Sequence, residues 1–304
     1  MKEIEASIII LTLNPGTTFR KVVDMVFSQK FVNFEVIIID STSDDNSLEY
    51  AKEYPIRLVK IPRIEFGHGR TRNLGAKLAR GNYVVYLTQD AIPKHRYWLQ
   101  NLIRGLKDSC VAGVFGRQIP KEGSNQIINY GYNQDYPNIR RIIDITNYYK
   151  YSVVYSDVNS AVRKDMILNN PYPEDVIVSE DLGWALSMLD REYSILYEPE
   201  AAVIHSHSFN LCRIARVGFD QGVSFSQIYR MNIPNNSNRK DINRIAKKYL
   251  FFMQKLKVKF LFVLLIVDTI KCVSISLGKR YRQLPLPVCK FLSNQKSYWE
   301  KKNK

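Results

Sequence analysis

Four short apolar runs, SIIILTL (7–13), FEVIIID (34–40), IRLVKI (56–61) and NYVVYLT (82–88), constrain the fold of this chain more than any other feature. They are continuously apolar rather than alternating, so each strand they form is buried on both faces. Segments of helical spacing separate them. Phe19, Val22, Val23, Val26 and Phe27 recur at i, i+3, i+4, i+7 and i+8 between the first two runs. A short helix is expected over 45–53 and a longer one over 69–79, closed by Gly81. A helix over 94–107 and a strand at 111–116 continue the alternation. The pattern predicts an α/β fold with a mostly parallel central sheet flanked by helices. Residues 120–178 are rich in tyrosine and asparagine and read as irregular. A helix follows at 180–190, then short strands at 193–197 and 201–205, and a helix at 211–228. The polar segment IPNNSNRK (233–240) marks the expected boundary between a domain at 1–230 and a helical C-terminal region at 231–304.

Charge divides the chain at the same place. Residues 1–230 hold 27 Lys and Arg against 26 Asp and Glu, whereas 231–304 hold 17 against 3. A basic tail fits nucleic acid or an anionic membrane. The tail also carries the apolar run FLFVLLIV (260–267), which a nucleic-acid arm rarely has. The expectation is therefore an anionic membrane surface and no nucleic acid. The run reads as too short to span a bilayer, which takes about 20 apolar residues. Lys255, Lys257 and Lys259 precede it, and Asp268 and Lys271 follow, as in a helix lying in the interface with snorkelling lysines. A C-terminal helix packed on the body, with solvated lysines, is the plainer reading. The four cysteines are widely spaced, without metal-ligand spacing or a disulfide framework. MKEIEASIII reads as a polar lead into a strand rather than a signal peptide. The expected location is cytoplasmic, peripheral on the inner face of the cell membrane.

Acids stand just past the buried runs, where open α/β sheets bind ligands. Asp40 ends the second run, placed for a ribose hydroxyl or a base edge, or for an Asx turn into STSDD. Asp90 follows Thr88 and Gln89, placed for Mg²⁺ or Mn²⁺ on a nucleoside diphosphate, or for a turn before Pro93. Neither G-x-G-x-x-G nor a Walker loop is present, which argues against a dinucleotide cofactor. Glu180 and Asp181 follow Ser179, as in a capped helix start, and one of the two suits a general base. His205 and His207 alternate at a strand end and so are expected on opposite faces, one of them a metal or phosphate ligand. Arg70, Arg72 and Asn73 in FGHGRTRN suit a diphosphate, or a solvated helix start. The tyrosines of 130–155 stack on sugars or fill a core.

In order, LTLN (11–14), IIID (37–40), FGHGRTRNLGA (66–76), LTQDAIP (87–93), GRQIP (116–120), SEDLGWA (179–185) and PEAAVIHSHS (199–208) form a set of motifs. With LGKRYRQLP (277–285) and SNQKSYW (293–299), the set resembles the inverting family-2 glycosyltransferases of GT-A fold. Among these it is most similar to bacterial rhamnosyltransferases of polysaccharide assembly. The resemblance implies a nucleotide-sugar-binding half at 1–119 and an acceptor-binding half at 120–230. It implies that Thr12, Asn14, Asp40 and Ser43 line the nucleoside pocket, that Arg72 and Asn73 lie near the ribose and diphosphate, and that Gln89 is among the nucleotide-sugar-binding residues. Asp90, with His207, would hold Mg²⁺ or Mn²⁺, and Arg117 and Gln118 would face the donor sugar. Asp181 would be the general base, with Glu180 and Trp184 at the acceptor. The implied reaction moves a sugar, L-rhamnose from dTDP-L-rhamnose, to a lipid-linked saccharide. The chain departs from the pattern in two places. The usual D-x-D is reduced to Thr88-Gln89-Asp90, and Ala185-Leu186-Ser187-Met188 lacks the basic residue often found on the acidic helix. A catalytically degenerate domain that binds glycan or protein partners is the alternative.

Overall fold

The computed structural model describes residues 3–30, 32–228, 249–251, 253 and 258–302. They form two compact units, one of 1–124, 129–175 and 180–207, the other of 125–128, 176–179 and 208–304. The expected boundary segment 233–240, and Lys255 and Lys257, lie outside the described residues. The helix at 211–228 groups with the second unit.

The first unit is built on one sheet. Strand β1 (Ala6–Thr12) leads into helix α1 (Thr18–Phe27), then β2 (Phe34–Asp40) and β3 (Ile56–Lys60). Helix α2 (His68–Leu78), β4 (Tyr83–Thr88), β5 (Ile92–Pro93), α3 (Trp98–Arg104) and β6 (Val111–Ile119) follow. Next come α4 (Gln126–Asp135), β7 (Arg141–Ile143), β8 (Asn159–Arg163), α5 (Lys164–Asn169), α6 (Glu180–Asp190) and β9 (Ser194–Ile204). Among the described residues the strand order is β3-β2-β1-β4-β8-β6-β9-β5, with β7 also on β9. The ladders with most paired residues, β1 with β2, β1 with β4 and β6 with β9, are parallel. The runs of β1, β2 and β4 are almost wholly buried, with α1 and α3 covering one face: Phe19, Val22, Val26, Trp98 and Leu102 pack on Ile8, Ile10, Ile38 and Val85. The third run, expected to be buried as well, forms the edge strand β3, where Arg57, Leu58 and Lys60 are exposed. On the other face Gly75 of α2 sits against Ile9 and Ile39.

Three expectations are refined. The segment at 45–53 forms only a 3₁₀ turn at Tyr50–Glu53. The two strands expected at 193–197 and 201–205 are one strand, β9. The region 120–178 contains β8, a central strand antiparallel to both β4 and β6. Its sequence, NSAVR, lacks an apolar run because its polar residues are paired internally. The Asn159 amide donates to Ala201 O at 2.7 Å and its oxygen accepts from Trp98 Nε1 at 2.7 Å. Beside it Gly116 admits the backbone of β9, since a Cβ there would lie 1.9 Å from Ala201 O.

The second unit pairs helix α7 (Leu211–Ile228) with α8 (Val258–Lys279), followed by α9 (Leu286–Leu292) and α10 (Lys296–Lys301). The pair crosses closely at glycines: a Cβ on Gly222 would meet Ile275 O at 2.2 Å, and one on Gly278 would meet Phe219 O at 2.1 Å. Phe219, Val223, Tyr281, Cys289 and Trp299 form the small core. Asp220 is buried and accepts from Ser293 Oγ and, at 3.0 Å, from Asn294 N, which gives the SNQKSYW motif a structural role. Burial pushes the Asp220 carboxyl up to about 6, against those two hydrogen bonds. The apolar stretch of α8 runs on to Lys279, so Phe260–Lys279 is long and apolar enough to cross a membrane by length and composition. The run 260–267, expected to be too short to span, is only the start of this stretch, which the small and β-branched residues beyond Asp268 continue. All four cysteines are free.

Candidate active site

The carboxyl ends of β1, β2 and β4 carry three loops that are laced together. Asp40 is 1% exposed and accepts from Thr12 Oγ1 at 3.0 Å, Ser43 N at 3.0 Å and Ser43 Oγ at 2.5 Å. Ser43 Oγ in turn accepts from Asn14 N at 2.8 Å, and Asn14 Oδ1 accepts from Asp44 N at 2.9 Å. Asn14 and Thr42 hold left-handed backbone, at φ 45° and 64°. For β-branched Thr42 this costs about 1–3 kcal/mol. Its Oγ1 donates to Ile61 O at 2.8 Å, which helps to hold the turn. Gln89 clamps the third loop to the first: its Oε1 accepts from Leu13 N at 2.9 Å and its Nε2 donates to Leu13 O at 3.2 Å. Thr12, Asn14, Asp40, Ser43 and Gln89 are thus brought together by these hydrogen bonds.

Asp90 lies immediately past β4 and meets the end of β9. His205 Nε2 is 3.5 Å from Asp90 Oδ1, and His207 Nδ1 is 3.8 Å from Asp90 Oδ2. One ligand atom from each of the three lies within 4.8 Å of the others. The histidines were expected on opposite faces, but residues two apart in an extended chain share a face, and His205 N still donates to Ile119 O at 2.9 Å just past the end of β9 at Ile204. Their rings meet edge to face at 4.7 Å. Burial works to raise the Asp90 carboxyl, yet His205, His207 and Lys121 hold it well below the usual carboxylate range. One carboxylate and two imidazoles at this spacing suit a divalent cation such as Mn²⁺. Beside the reduced D-x-D stands a second histidine, His205, which the sequence left undecided between ligand and packing roles.

Arg72 is 8% exposed and faces inward. Its Nη1 is bound to Glu180, and its Nε is 3.2 Å from Asp157 Oδ2. Asp157 Oδ1 also accepts from Ser160 Oγ at 2.6 Å and Tyr172 Oη at 3.0 Å. Asn73 donates to Tyr172 O and Glu174, both at 3.0 Å. Arg72 and Asn73 therefore hold α2 to the segments around it, while Arg70, half exposed, pairs with Glu174. Glu180 is buried by its bond to Arg72. Trp184 is 1% exposed, donates to Asn170 O at 2.8 Å and packs on Tyr155 and Tyr172. Neither Glu180 nor Trp184 presents a surface to an acceptor.

Asp181 is the partly exposed member of the acidic pair. Its Oδ2 accepts from Asp157 N at 3.1 Å and its Oδ1 from Leu182 N at 2.8 Å. Burial and the neighbouring Glu180 push its carboxyl up, with Arg72 opposing. Asp157 is pushed up as well, by burial first, against Arg72. Ser179, before the helix, has φ 62°, rather than the extended backbone usual for a capping residue. His68, at the start of α2, lies in the fields of Arg72 and Asp181. Burial and the Arg72 charge push it down to about 4, so it is neutral at neutral pH. Sequence reasoning missed Asp157 and His68. Asp157 sits before a strand with no apolar signature, and His68 was passed over for its basic neighbours.

Gln118 is buried. Its Nε2 donates to Tyr136 Oη at 2.8 Å and Ser156 Oγ at 3.1 Å, and its Oε1 is 2.9 Å from His205 Nδ1. Arg117 is half-buried, with its Nε enclosed and unpaired among the described residues.

Comparison with known proteins gives this geometry a context. The family model described as Glycosyl transferase family 2 matches residues 7–168. The O-antigen chain rhamnosyltransferase RfbN of Salmonella typhimurium is 29% identical over 299 residues, 96% of this chain and 95% of that relative. WbaN of Salmonella anatum, also an O-antigen chain rhamnosyltransferase, is 31% identical over 87% of this chain and 86% of its own length. Among solved structures, a mannosyltransferase of Pyrobaculum calidifontis in complex with GDP-Man and Mn²⁺ superposes with a TM-score of 0.59. It covers 97% of this chain and 85% of its own, at 15% identity, a likeness of GT-A fold.

Proposed function

Because the chain belongs to glycosyl transferase family 2, we propose that it is a metal-dependent, inverting rhamnosyltransferase of surface-polysaccharide assembly. The observation that carries the reading is the convergence of Asp90, His205 and His207 beside the laced loops at the ends of β1, β2 and β4. A nucleoside diphosphate needs those two parts side by side. Support for L-rhamnose, from dTDP-L-rhamnose, comes from the two O-antigen rhamnosyltransferases that match along most of their length. The three converging groups argue against a degenerate binding domain.

In this reading Thr12, Asn14, Asp40, Ser43 and Gln89 shape the nucleoside pocket. Asp90, His205 and His207 hold Mg²⁺ or Mn²⁺, which when bound neutralises charge on the departing diphosphate. Arg117, whose buried Nε has no partner among the described residues, is a basic group available to the donor. Asp181 accepts the proton of the acceptor hydroxyl. The hydroxyl oxygen bonds to the anomeric carbon as the bond from that carbon to the diphosphate oxygen breaks, with inversion. A carboxyl held above its usual range is a better base for this than an ordinary carboxylate. The acceptor is a lipid-linked saccharide, reached at the cytoplasmic face of an anionic membrane. Exposed Phe262, Leu265 and Val273 on α8, in a basic tail, support that placement. Failure to float with anionic vesicles removes the membrane part.

The test is thermal stabilisation by dTDP, UDP and GDP, each with and without Mn²⁺. A metal-dependent rise with one nucleotide supports the reading, and no rise with any overturns it. Asp181→Asn should then lower turnover about 10²–10⁴-fold while nucleotide and Mn²⁺ still bind. Near-normal turnover would remove Asp181 from its role.

A further inference from the structure

We propose that Gln118 is a positioning residue that keeps the proton on His205 Nδ1 and so presents the Nε2 lone pair to the cation. The inference rests on the metal reading above and assigns Gln118 to the metal rather than to the donor sugar. An amide oxygen only accepts, so with the Gln118 amide oriented by Tyr136 and Ser156 the nitrogen 2.9 Å from its Oε1 is the one that carries a hydrogen. The other ring nitrogen is the one that faces Asp90, at 3.5 Å. A neutral imidazole protonated at Nδ1 has its lone pair at Nε2, as ligation requires. The opposite tautomer would aim an N–H at the cation.

Gln118 is itself held in orientation. Its amide nitrogen spends both hydrogens, on Tyr136 Oη at 2.8 Å and Ser156 Oγ at 3.1 Å, which leaves the oxygen for His205. The residue is 4% exposed, so water does not compete for the amide. Backbone geometry adds to this. β6 pairs with β9 in parallel through Gln118 with Val203 and Ile119 with Ile204, and His205 N donates to Ile119 O at 2.9 Å. The strand end that carries the ligand is therefore pinned to the strand that carries its orienting group. The chain Tyr136/Ser156–Gln118–His205 links the 120–178 region to the metal position, although no residue of that region is itself in the three-residue group.

Outer-shell partners of ligating histidines typically change metal affinity about 10–100-fold when removed. Gln118→Met keeps the length and apolar volume but loses the acceptor. Gln118→Glu keeps an acceptor toward Nδ1, and Tyr136 and Ser156 can donate to it. Mn²⁺ binding is measured by electron paramagnetic resonance of free Mn²⁺, at saturating dTDP, for wild type and both variants. The expected result is a 10–100-fold weaker Kd for Gln118→Met and a Kd at or below wild type for Gln118→Glu. Separately, ¹⁵N shifts of labelled histidines in the metal-free protein, with His205 assigned through His205→Gln, should show a protonated Nδ1. Unchanged affinity in Gln118→Met, equal losses in both variants, or a His205 protonated only at Nε2 each overturns the inference. Wild type that binds nucleotide but no Mn²⁺ overturns the metal reading and the inference with it. A normal wild-type Kd with unaffected variants overturns the inference alone.

Discussion

Asp90 with His205 and His207, and Arg72 with Asp157, Glu180 and Asp181, are both charged clusters in the first unit, and both place carboxylates beside nitrogen-bearing side chains. They differ in where the cation comes from. In the second cluster it is built in: the guanidinium of Arg72 lies between Asp157 and Glu180, and all three are buried. In the first, two imidazoles and one carboxylate converge with no guanidinium between them, Lys121 acting only through its field, and His207 and Asp90 keep access to solvent. Removing the central group should therefore act chiefly on stability in one cluster and chiefly on metal affinity in the other.

The largest expected effect is on the frame. Arg72→Met leaves Asp157 and Glu180 buried without their cation, which costs about 3–5 kcal/mol of stability. Chemical denaturation reads this directly. A loss below 1 kcal/mol would show that the two carboxyls take up protons in place of the arginine, and the contrast between clusters would weaken. Asp90→Asn is the counterpart. It should weaken Mn²⁺ binding by more than about 100-fold, above the range for an outer-shell partner. Unfolding free energy should fall, since the depressed Asp90 carboxyl stabilises the fold at neutral pH, but by less than for Arg72→Met because the Asp90 side chain is 28% exposed. A large loss of stability would make Asp90 part of the frame instead.

The pH profile separates the clusters in a third way. Asp181 works as a base only when ionised, and its carboxyl is pushed up by burial and Glu180. As pH falls through that raised value the base becomes protonated and kcat/KM is lost. The acid limb should thus lie above the ordinary carboxylate range, measured with saturating metal so that cation binding does not limit. A limb in the ordinary range would mean that Asp181 is more solvated in the working enzyme, or is not the base.

The two clusters were unequally legible in the sequence. Asp40 and Asp90 were visible because an acid after an apolar run has few reasons to be there, and the runs themselves marked β1, β2, β4 and their covering helices, whereas Asp181 was separated from Glu180 only by the family resemblance. The partners were not visible. His205 looked like a residue facing away because residues two apart were read as pointing to opposite faces, whereas an extended chain puts them on one. Asp157 precedes a central strand whose polar residues are satisfied by Trp98 and Ala201, so no periodicity announces it. Arg72, Glu180 and Trp184 lie in motifs that match the family, but a motif match does not distinguish a residue that touches substrate from one that holds the residue that does. Burial makes that distinction, and it comes from contacts distant in sequence.

Trp184 gives that distinction its sharpest small test. Its ring lies against Tyr155 at 5.2 Å and Tyr172 at 5.7 Å, its Nε1 donates to Asn170 O, and Gly113 leaves room for its edge. Trp184→Phe removes one hydrogen bond and part of that packing, for about 1–2 kcal/mol of stability. If Trp184 belongs to the frame, the variant should retain the wild-type KM for acceptor and lose turnover only as far as Asp181, three residues earlier on the same helix, is displaced. If Trp184 lines the acceptor site, KM for acceptor should rise while stability changes little. The two outcomes move different measurements, so the denaturation midpoint and the acceptor KM of this one variant decide which side of the frame the residue is on.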